Sequence, residues 1–202
     1  MPSKTALASL SALGAGTAAT GGVLGHRYFS KDLLLSKLQR QLKDSSHRKI
    51  LTSKDDPIWN SWKEFYGSEI KAPISGINKE NLPKWCEYSL AGKDESKLTL
   101  VSKWCVVNTR SVKEELQVNS ITLLEGEGSP DWESAWEAYN KDKASLEIED
   151  ATFKGTNATQ KQQGGPALKK WCETYLSKKM YEFFEGGKNY EKVAKWCSKS
   201  AG

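Results

Sequence analysis

Histidine is scarce in this chain: the 202 residues contain two, His26 and His47, and both precede the tryptophan-rich part. A Ser-His-Asp or Cys-His catalytic group therefore cannot be assembled from the remainder of the chain. The cysteines never occur as Cys-x-x-Cys, the spacing typical of structural zinc sites and of dithiol redox enzymes. These absences argue against hydrolase, zinc and redox chemistry.

The sequence also lacks a phosphate-binding loop. Gly126-Glu127-Gly128 has neither the lysine nor the following helix that a Walker motif requires. Acidic clusters such as Glu147, Glu149 and Asp150 are better interpreted as solvated faces than as acid–base pairs, given the charge density of the chain. We therefore predict a protein that is not an enzyme, with no catalytic residues, no metal site and no cofactor.

The tryptophan-rich part has no surplus of positive charge. Residues 57–202 contain 21 basic and 21 acidic side chains, whereas residues 1–56 contain nine basic and four acidic ones. Aromatic side chains that stack on nucleic-acid bases normally lie in a positively charged groove. We therefore predict no nucleic-acid partner.

All four cysteines occur in one tripeptide, Lys-Trp-Cys, and two tryptophan pairs account for the other tryptophans. One pair precedes the first two copies of the tripeptide, the other precedes the last two, and each follows a proline. This repeated order indicates an internal duplication. The predicted structural residues are Cys86, Cys105, Cys172 and Cys197 together with Trp59, Trp62, Trp85, Trp104, Trp132, Trp136, Trp171 and Trp196.

The residues around each tripeptide follow helical spacing. Positions three, four and seven apart share one helix face, and Leu168, Trp171, Cys172 and Tyr175 fit such a face. Each cysteine is therefore predicted on the buried stripe of a short helix, while the preceding lysine lays its stem over the indole. The predicted fold class is mainly α, with duplicated units of about three short helices each.

Three interpretations of the cysteines are open: disulfides, buried free thiols and a metal site. Two cysteines of one half are brought together by an antiparallel pair of short helices, which favours Cys86 with Cys105 and Cys172 with Cys197. Free thiols become the default if this part of the chain faces the cytosol. A metal site is disfavoured because the two histidines lie elsewhere in the sequence.

Residues 5–25 form an uncharged stretch rich in Ala, Gly, Ser and Thr. Its length is sufficient to cross a bilayer, so we predict that residues 1–25 are a transmembrane anchor or a signal peptide. A flexible leader on a soluble protein is the remaining interpretation. Membrane lipid is accordingly the first predicted partner.

Leucines recur at helical spacing among basic residues between positions 26 and 55, as in Leu34, Leu38 and Leu42. This pattern predicts a basic amphipathic stalk, which either attracts anionic lipid headgroups or is a solvated helix. The first helical repeat is then placed at 56–124, a Gly- and Pro-containing linker at 125–130 and the second repeat at 131–202. Residues 108–128 and 154–166 are predicted to form variable surface loops.

The N-terminal segment, the length and the repeated Lys-Trp-Cys resemble paralogous membrane-associated surface proteins of haemotropic mycoplasmas. The resemblance covers nearly the whole chain but carries no catalytic residues. It implies a cell-membrane location with the repeat region extracellular, because an exported domain of a wall-less cell meets the host plasma directly. The implied partner is a host surface or plasma protein, and the implied role is adhesion, antigen or decoy.

Two hypotheses on function follow, from different classes. The first is a non-enzymatic, membrane-anchored surface protein that interacts with the host. The alternative is an inward-facing structural or scaffolding membrane protein with reduced cysteines. It is favoured by the basic residues after the apolar stretch, among them Arg27, Lys31 and Lys37, since positive charge tends to stay in the cytoplasm. An enzymatic function would need a deep polar pocket with shifted titratable groups.

Overall fold

The computed structural model describes residues 32–69, 72–126, 129–156, 159–184 and 188–199. Within these ranges the chain is mainly helical, and the predicted anchor or signal segment at 1–25 lies outside them. The α-helices are α1 (Leu34–Gln41), α2 (Trp59–Gly67), α3 (Leu82–Leu90), α4 (Leu98–Trp104), α5 (Val112–Val118), α6 (Ser129–Asp142), α7 (Ala151–Gly155), α8 (Lys161–Leu176) and α9 (Asn189–Trp196). None of the helices in the described ranges has the length and apolar character needed to cross a membrane.

Two short strands complete the described structure. Strands β1 (Arg48–Ile50) and β2 (Val106–Asn108) pair antiparallel, with Arg48 opposite Asn108. Single 3-10 turns precede α4 at Glu95–Lys97 and follow α6 at Lys143–Ser145. This two-stranded ribbon pairs the segment after α4 with the segment after α1. The chain has therefore come back to the region of its first helix before α5 begins.

The buried side chains form two hydrophobic cores. The first core is built from α1 to α4 and the ribbon, and the second from α5 to α9. We refer to residues 32–108 as the first unit and to residues 109–199 as the second unit. Each unit contains two of the four cysteines and four of the eight tryptophans.

The prediction of a separate stalk at 26–55 is wrong, because the described part of that segment packs in the first core. Leu34, Leu38 and Leu51 are at most 1% exposed. The backbone N–H of Leu34 donates to the carbonyl oxygen of Gly92 (2.9 Å), and Lys37 of the same helix pairs with Glu95 (2.6 Å). The helical pattern was interpreted correctly, but the leucine stripe packs against protein because α3 and α4 offer an apolar surface to bury.

The predicted boundary between the repeats is also wrong. Val112, Leu116 and Leu123 were assigned to the first repeat, yet they are buried in the second core. The units therefore meet between β2 and α5, and the predicted linker at 125–130 lies inside the second unit, where α6 begins at Ser129. Glycine and proline in that segment mark a loop before a helix rather than a junction between units.

Neither predicted surface loop is a loop throughout. Residues 108–128 contain α5, which begins with a capping box in which Ser111 and Glu114 each bond the other's backbone N–H. Residues 154–166 contain the start of α8, where Gly164 and Gly165 are buried against α6. An added Cβ at Gly164 would lie 2.1 Å from the Trp136 ring, so the glycine that suggested mobility instead permits close helix packing.

The two units repeat several backbone contacts. The N–H of Leu51 donates to the carbonyl of Cys105 (2.8 Å), and that of Leu124 donates to the carbonyl of Cys197 (2.9 Å). Each bond joins the segment before the tryptophan pair to the end of the last Lys-Trp-Cys helix. The two units therefore have the same kind of backbone hydrogen bond at corresponding positions.

The first helix of each unit is docked in a repeated way as well. Val112 at the start of α5 donates its N–H to Lys178 (2.8 Å), as Leu34 at the start of α1 does to Gly92. Gly92 lies six residues after Cys86, and Lys178 lies six residues after Cys172. Among the described residues the first unit thus contains four helices and the second unit five, where about three were predicted for each. One added helix in each unit lies before the tryptophan pair.

The segment between α8 and α9 joins the units. Tyr181 packs against the first core, and the Phe183 ring meets Phe65 edge to face at 5.0 Å between centroids. The N–H of Phe183 also donates to Ser61 Oγ on α2. The second unit therefore extends an aromatic arm onto the first, and a cavity lies beside that contact.

Candidate functional site

A disulfide lies in the core of each unit. Cys86 is bonded to Cys105 and Cys172 to Cys197, with Cα–Cα separations of 5.5 and 5.6 Å. All four residues are 0% exposed. This is the pairing that the spacing within each half favours, and it arises because each bond joins two neighbouring helices of one unit.

The tryptophan before the second cysteine of each unit has a repeated aromatic neighbour. Trp104 meets Tyr66 nearly edge to face, with centroids 4.9 Å apart, and Trp196 meets Tyr139 in the same way at 5.2 Å. The hydroxyl of each tyrosine accepts a bond of 3.2 Å from a buried isoleucine N–H, Ile74 or Ile148. These tyrosines hold the long connection after α2 or α6 against the core.

The repeated tripeptide and the tryptophan pairs do not by themselves reveal that Tyr66 and Tyr139 are equivalent. A signal was present: both tyrosines lie seven residues after the first tryptophan of their pair, Trp59 or Trp132. Those two tryptophans are also equivalent, because each donates its indole N–H to the carbonyl six residues earlier, that of Ser53 (2.9 Å) or Gly126 (3.3 Å).

The second members of the tryptophan pairs are not equivalent. Trp62 is buried and donates to the carbonyl of Trp104 (2.8 Å), whereas Trp136 is half-buried and packs over Gly164. A one-residue difference in spacing moves Trp136 to another side of its helix, and Ala135 is buried in its unit instead. Of the first-copy tryptophans, Trp171 is buried and Trp85 is half-buried.

Lysine in the second tripeptide of each unit lies over the adjacent indole. The Nζ to ring-centroid distance is 4.6 Å for Lys103 over Trp104 and 4.5 Å for Lys195 over Trp196. Each ammonium also pairs with a carboxylate, Lys103 with Glu69 (3.6 Å) and Lys195 with Asp142. The lysine therefore shields the ring and keeps its charge in water, as the sequence predicted.

The two core indoles differ in one hydrogen bond. Trp196 donates its Nε1–H to the carbonyl oxygen of Leu146 (2.7 Å). Trp104 Nε1 is equally buried but has no hydrogen-bond partner among the described residues. A buried donor without a partner costs free energy, so the first unit retains a polar group that the second unit satisfies.

This difference predicts unequal effects of the same substitution. Trp196→Phe removes a hydrogen bond and leaves the Leu146 carbonyl unpaired, whereas Trp104→Phe removes an unpaired donor. We expect Trp196→Phe to lower the free energy of unfolding by about 1 kcal/mol more than Trp104→Phe does. Urea unfolding of the two variants measures the difference, and a larger loss for Trp104→Phe would contradict this assignment.

A cavity of about 270 Å³ lies between the units. Its first-unit wall includes Trp62, Phe65 and Trp104, and its second-unit wall includes Met180, Phe184 and Asn189. The aromatic arm between α8 and α9 contributes two of these side chains. The cavity therefore combines large apolar surfaces from both units, the arrangement in which ligand sites commonly form.

Asn189 is the most buried polar side chain of the second-unit wall, at 5% exposed. Its Nδ2 donates to the carbonyl of Glu182 (3.0 Å), which fixes the orientation of the amide. Its Oδ1 has no partner among the described residues. Two residues of the cavity lining, Trp104 and Asn189, thus each contain a buried polar atom, Nε1 or Oδ1, that has no partner among the described residues.

Charges on the described cavity wall balance. The basic residues are Arg48, Lys103, Lys179 and Lys188. The acidic residues are Glu69, Glu115, Glu182 and Glu191. Equal numbers of opposite charges provide no net attraction for an anion or a cation.

Glu115 lines the cavity and connects the two units. Its Oε2 accepts from Asn108 Nδ2 (2.8 Å) at the end of β2 and from Arg110 Nη1 (3.1 Å). Burial by itself would raise the pKa of this carboxyl, but these two donors and the charges of Arg110 and Arg48 lower the pKa below its usual value of 4.5. Glu115 is therefore held as a carboxylate.

The lowered pKa of Glu115 makes the junction of the units sensitive to acid. Its contribution is present above the unfolded-state pKa near 4.5 and is lost as the pH falls through the lower folded-state pKa. We expect Glu115→Gln to lower the free energy of unfolding by about 1 kcal/mol at pH 7 and by less at pH 3. Urea titrations at both pH values test this, and an equal loss at each pH would contradict it.

The described residues contain no group of three or more His, Cys, Asp or Glu side chains placed to hold a metal ion. The repeated motifs predict the sulfur and indole framework but not the cavity, because Asn189, Phe184 and Met180 belong to no repeated motif. Comparisons of the chain with protein-family models, with curated proteins and with solved structures found no match.

Proposed function

We propose that this chain is a non-enzymatic, membrane-anchored surface protein whose two helical units lie outside the cell and interact with host molecules. The observation that carries the proposal is the disulfide in the core of each unit. Disulfides persist in oxidising surroundings and are rare where glutathione keeps thiols reduced. An exterior location explains why units of this size depend on them.

The size of the units supports this argument. Each unit has fewer than one hundred residues, a range in which a hydrophobic core alone provides little stability. A covalent bond between two helices compensates by restricting the unfolded chain. Cysteine used in this way, rather than as a nucleophile or ligand, is typical of exported proteins.

In this proposal the two units arose by duplication, and residues 1–25 anchor or export the chain. The repeated bonds from Leu51 and Leu124 to the disulfide helices support the duplication, as do Tyr66 and Tyr139. The units would then be two copies of one stapled scaffold on which different surfaces evolved. The partner class that fits is a host surface or plasma protein.

Two labelling reactions on intact cells test the proposal. Free thiols are first blocked, then the protein is reduced and its newly released thiols are labelled and counted. An antibody against the folded units is applied in parallel to intact and to permeabilised cells.

The proposal predicts that all four cysteines are labelled only after reduction and that the antibody binds without permeabilisation. Thiols that are blocked at the first step, with antibody binding only in permeabilised cells, would support the inward-facing scaffold and overturn the surface location. A secreted protein that carries a decahistidine tag in place of residues 1–25 serves as the control for disulfide formation.

A further inference from the structure

We propose that an open groove at the junction of the units binds a small polar molecule through an oxyanion group, such as the phosphate or sulfate ester of a sugar. This junction groove has a volume of about 620 Å³, and its lining includes His47, Thr109, Arg110, Glu114, Gln117 and Lys179. It is a different site from the cavity between the units, although Lys179 lines both. The inference does not rest on the proposed cell-surface location, so either can fail without the other.

Three segments of the chain meet at the junction groove. The N–H of Thr109 donates to the carbonyl oxygen of His47 (2.8 Å), which joins the segment after β2 to the segment before β1. The carbonyl oxygen of Arg110 accepts a backbone bond of 2.9 Å from the segment after α8. In that segment Lys179 lies opposite Ser111 in an antiparallel bridge. Backbone contacts therefore bring His47, Arg110 and Lys179 to the same part of the surface.

The junction groove offers hydrogen-bond donors that reach solvent. Lys179 and Gln117 are exposed, and His47 and Arg110 are half-buried. The side chains of Lys179 and Gln117 have no hydrogen bond or ion pair among the described residues. Arg110 uses one guanidinium nitrogen for Glu115 (3.1 Å) and retains further N–H donors of its five. The groove therefore presents several accessible donors to a bound molecule.

The carboxylate in the described lining is already engaged. Glu114 Oε2 accepts from the N–H of Ser111 (2.6 Å) and from its hydroxyl (2.9 Å). These bonds, and then the charges of Lys179 and Arg110, hold the pKa of Glu114 below its usual value of 4.5. Glu114 therefore belongs to the start of α5, and the accessible donors call for a ligand that supplies acceptor oxygens.

Positive charge exceeds negative charge around the junction groove. The charged groups that line it, or that act on His47 and Glu114 from nearby, are the cations Arg48, Arg110 and Lys179 and the carboxylates Glu114 and Glu115. Three cations face two carboxylates before His47 is counted. An oxyanion therefore gains a net attraction here, whereas the charges around the cavity balance.

The size of the junction groove indicates more than an inorganic ion. Its volume lies in the range of pockets that hold small molecules. Ser46 and Gln117 provide exposed polar side chains that can bond hydroxyl groups, and Val118 provides an apolar patch that is 58% exposed. A hydroxylated body that carries one oxyanion fits this combination.

Three matched probes test the inference on the oxidised full-length chain, kept in a non-ionic detergent: glucose 6-phosphate, glucose 6-sulfate and glucose. Binding is followed by the NMR signal of the His47 ring, which lines the groove. Burial, together with the charges of Arg110 and Arg48, lowers the pKa of His47 below its usual value of 6.5. A bound oxyanion offsets these charges, so it should raise the pKa of His47.

We expect glucose 6-phosphate to shift the His47 signal with a dissociation constant on the order of 1 mM, as suits an open site with a small charge excess. Glucose should bind at least about tenfold more weakly, and glucose 6-sulfate, which has less charge, should lie between them. Lys179→Gln should weaken the binding of glucose 6-phosphate about tenfold. The control Lys170→Gln removes the same charge from an exposed position of α8 outside the groove and should leave binding within about twofold.

Three results would overturn the inference. Equal binding of glucose and glucose 6-phosphate would mean that the oxyanion is not recognised. Equal weakening by the two lysine variants would indicate attraction to the whole protein rather than to the groove. The third is an unchanged His47 signal and pKa with every probe while the protein remains folded. The comparison among probes uses the unaltered chain, so it remains decisive if a variant fails to fold.

Discussion

Replacing Cys172 and Cys197 together by alanine is expected to lower the free energy of unfolding by about 3 kcal/mol. The bond joins two residues that are 25 positions apart in the sequence and so restricts the conformations of the unfolded chain. Its loss restores this conformational freedom and thereby stabilises the unfolded state. Both residues are fully buried, so the substitution also leaves space in the core. Urea unfolding of the oxidised parent and the double variant, without reductant, measures the effect.

The other disulfide provides the matched comparison. Cys86→Ala with Cys105→Ala removes a bond of similar separation, 19 residues, from the other core, and a similar loss is expected. Because the two cores are separate, amide hydrogen exchange should accelerate mainly within the altered unit. A loss below about 0.5 kcal/mol for both variants would mean that hydrophobic packing alone holds the units together.

Gly164→Ala is expected to lower the free energy of unfolding by about 2 kcal/mol, although alanine has a higher helix propensity than glycine. The new Cβ would lie 2.1 Å from Cε2 of Trp136, so α8 has to move away from α6 or the indole has to leave its position. These two helices pack against each other more extensively than any other described pair of elements in the second unit. Thermal unfolding followed by tryptophan fluorescence detects both the lost stability and the displaced ring.

Gly155→Ala is the control for this variant. Gly155 is also helical, at the end of α7, and an added Cβ there meets no atom within 4 Å. It should leave stability unchanged or raise it by about 0.5 kcal/mol, because alanine restricts the unfolded chain. If both variants left the free energy of unfolding unchanged, the close packing of α8 on α6 at Gly164 would be contradicted.

The disulfide framework was accessible from the sequence because its signal is both repeated and chemically specific. Lys-Trp-Cys recurs with apolar residues at helical spacing, and two cysteines on neighbouring short helices have one near partner each. The mainly helical class follows from the same periodicity. These features depend on local spacing, which a sequence displays directly.

The limits of the units were not accessible in the same way. A leucine stripe among basic residues describes an amphipathic helix, but it does not distinguish a membrane surface from a neighbouring protein surface as the partner of that stripe. The N–H of Leu34 reaches Gly92 across more than fifty residues, and such tertiary contacts have no local signature. Gly126 and Pro130 marked a loop, and loops occur inside units as well as between them.

Glycine was similarly ambiguous. Gly164 and Gly165 follow polar residues and precede Pro166, a composition typical of a mobile segment. In the structure the same glycines lie in α8 and allow its backbone to approach Trp132 and Glu133 of α6. Whether such glycines form a mobile segment or a close helix contact depends on the helix that packs against them. The close approach could therefore not be predicted from the sequence around the glycines.

The cavity was the least predictable feature because it forms only when the units meet. One lining residue, Trp104, has a buried indole N–H without a partner among the described residues, whereas its counterpart, Trp196, is satisfied within its own unit. The two copies of the tripeptide therefore differ in the neighbours of each indole, which the motif itself does not display.

Peptide mapping of the native protein under non-reducing conditions tests the central claim most directly. Trypsin cleaves after the lysine of every Lys-Trp-Cys, so each cysteine is released in its own peptide. The account predicts two cross-linked pairs, the Cys86 peptide with the Cys105 peptide and the Cys172 peptide with the Cys197 peptide. Free thiols in cells, or bonds that connect the first unit to the second, would contradict it.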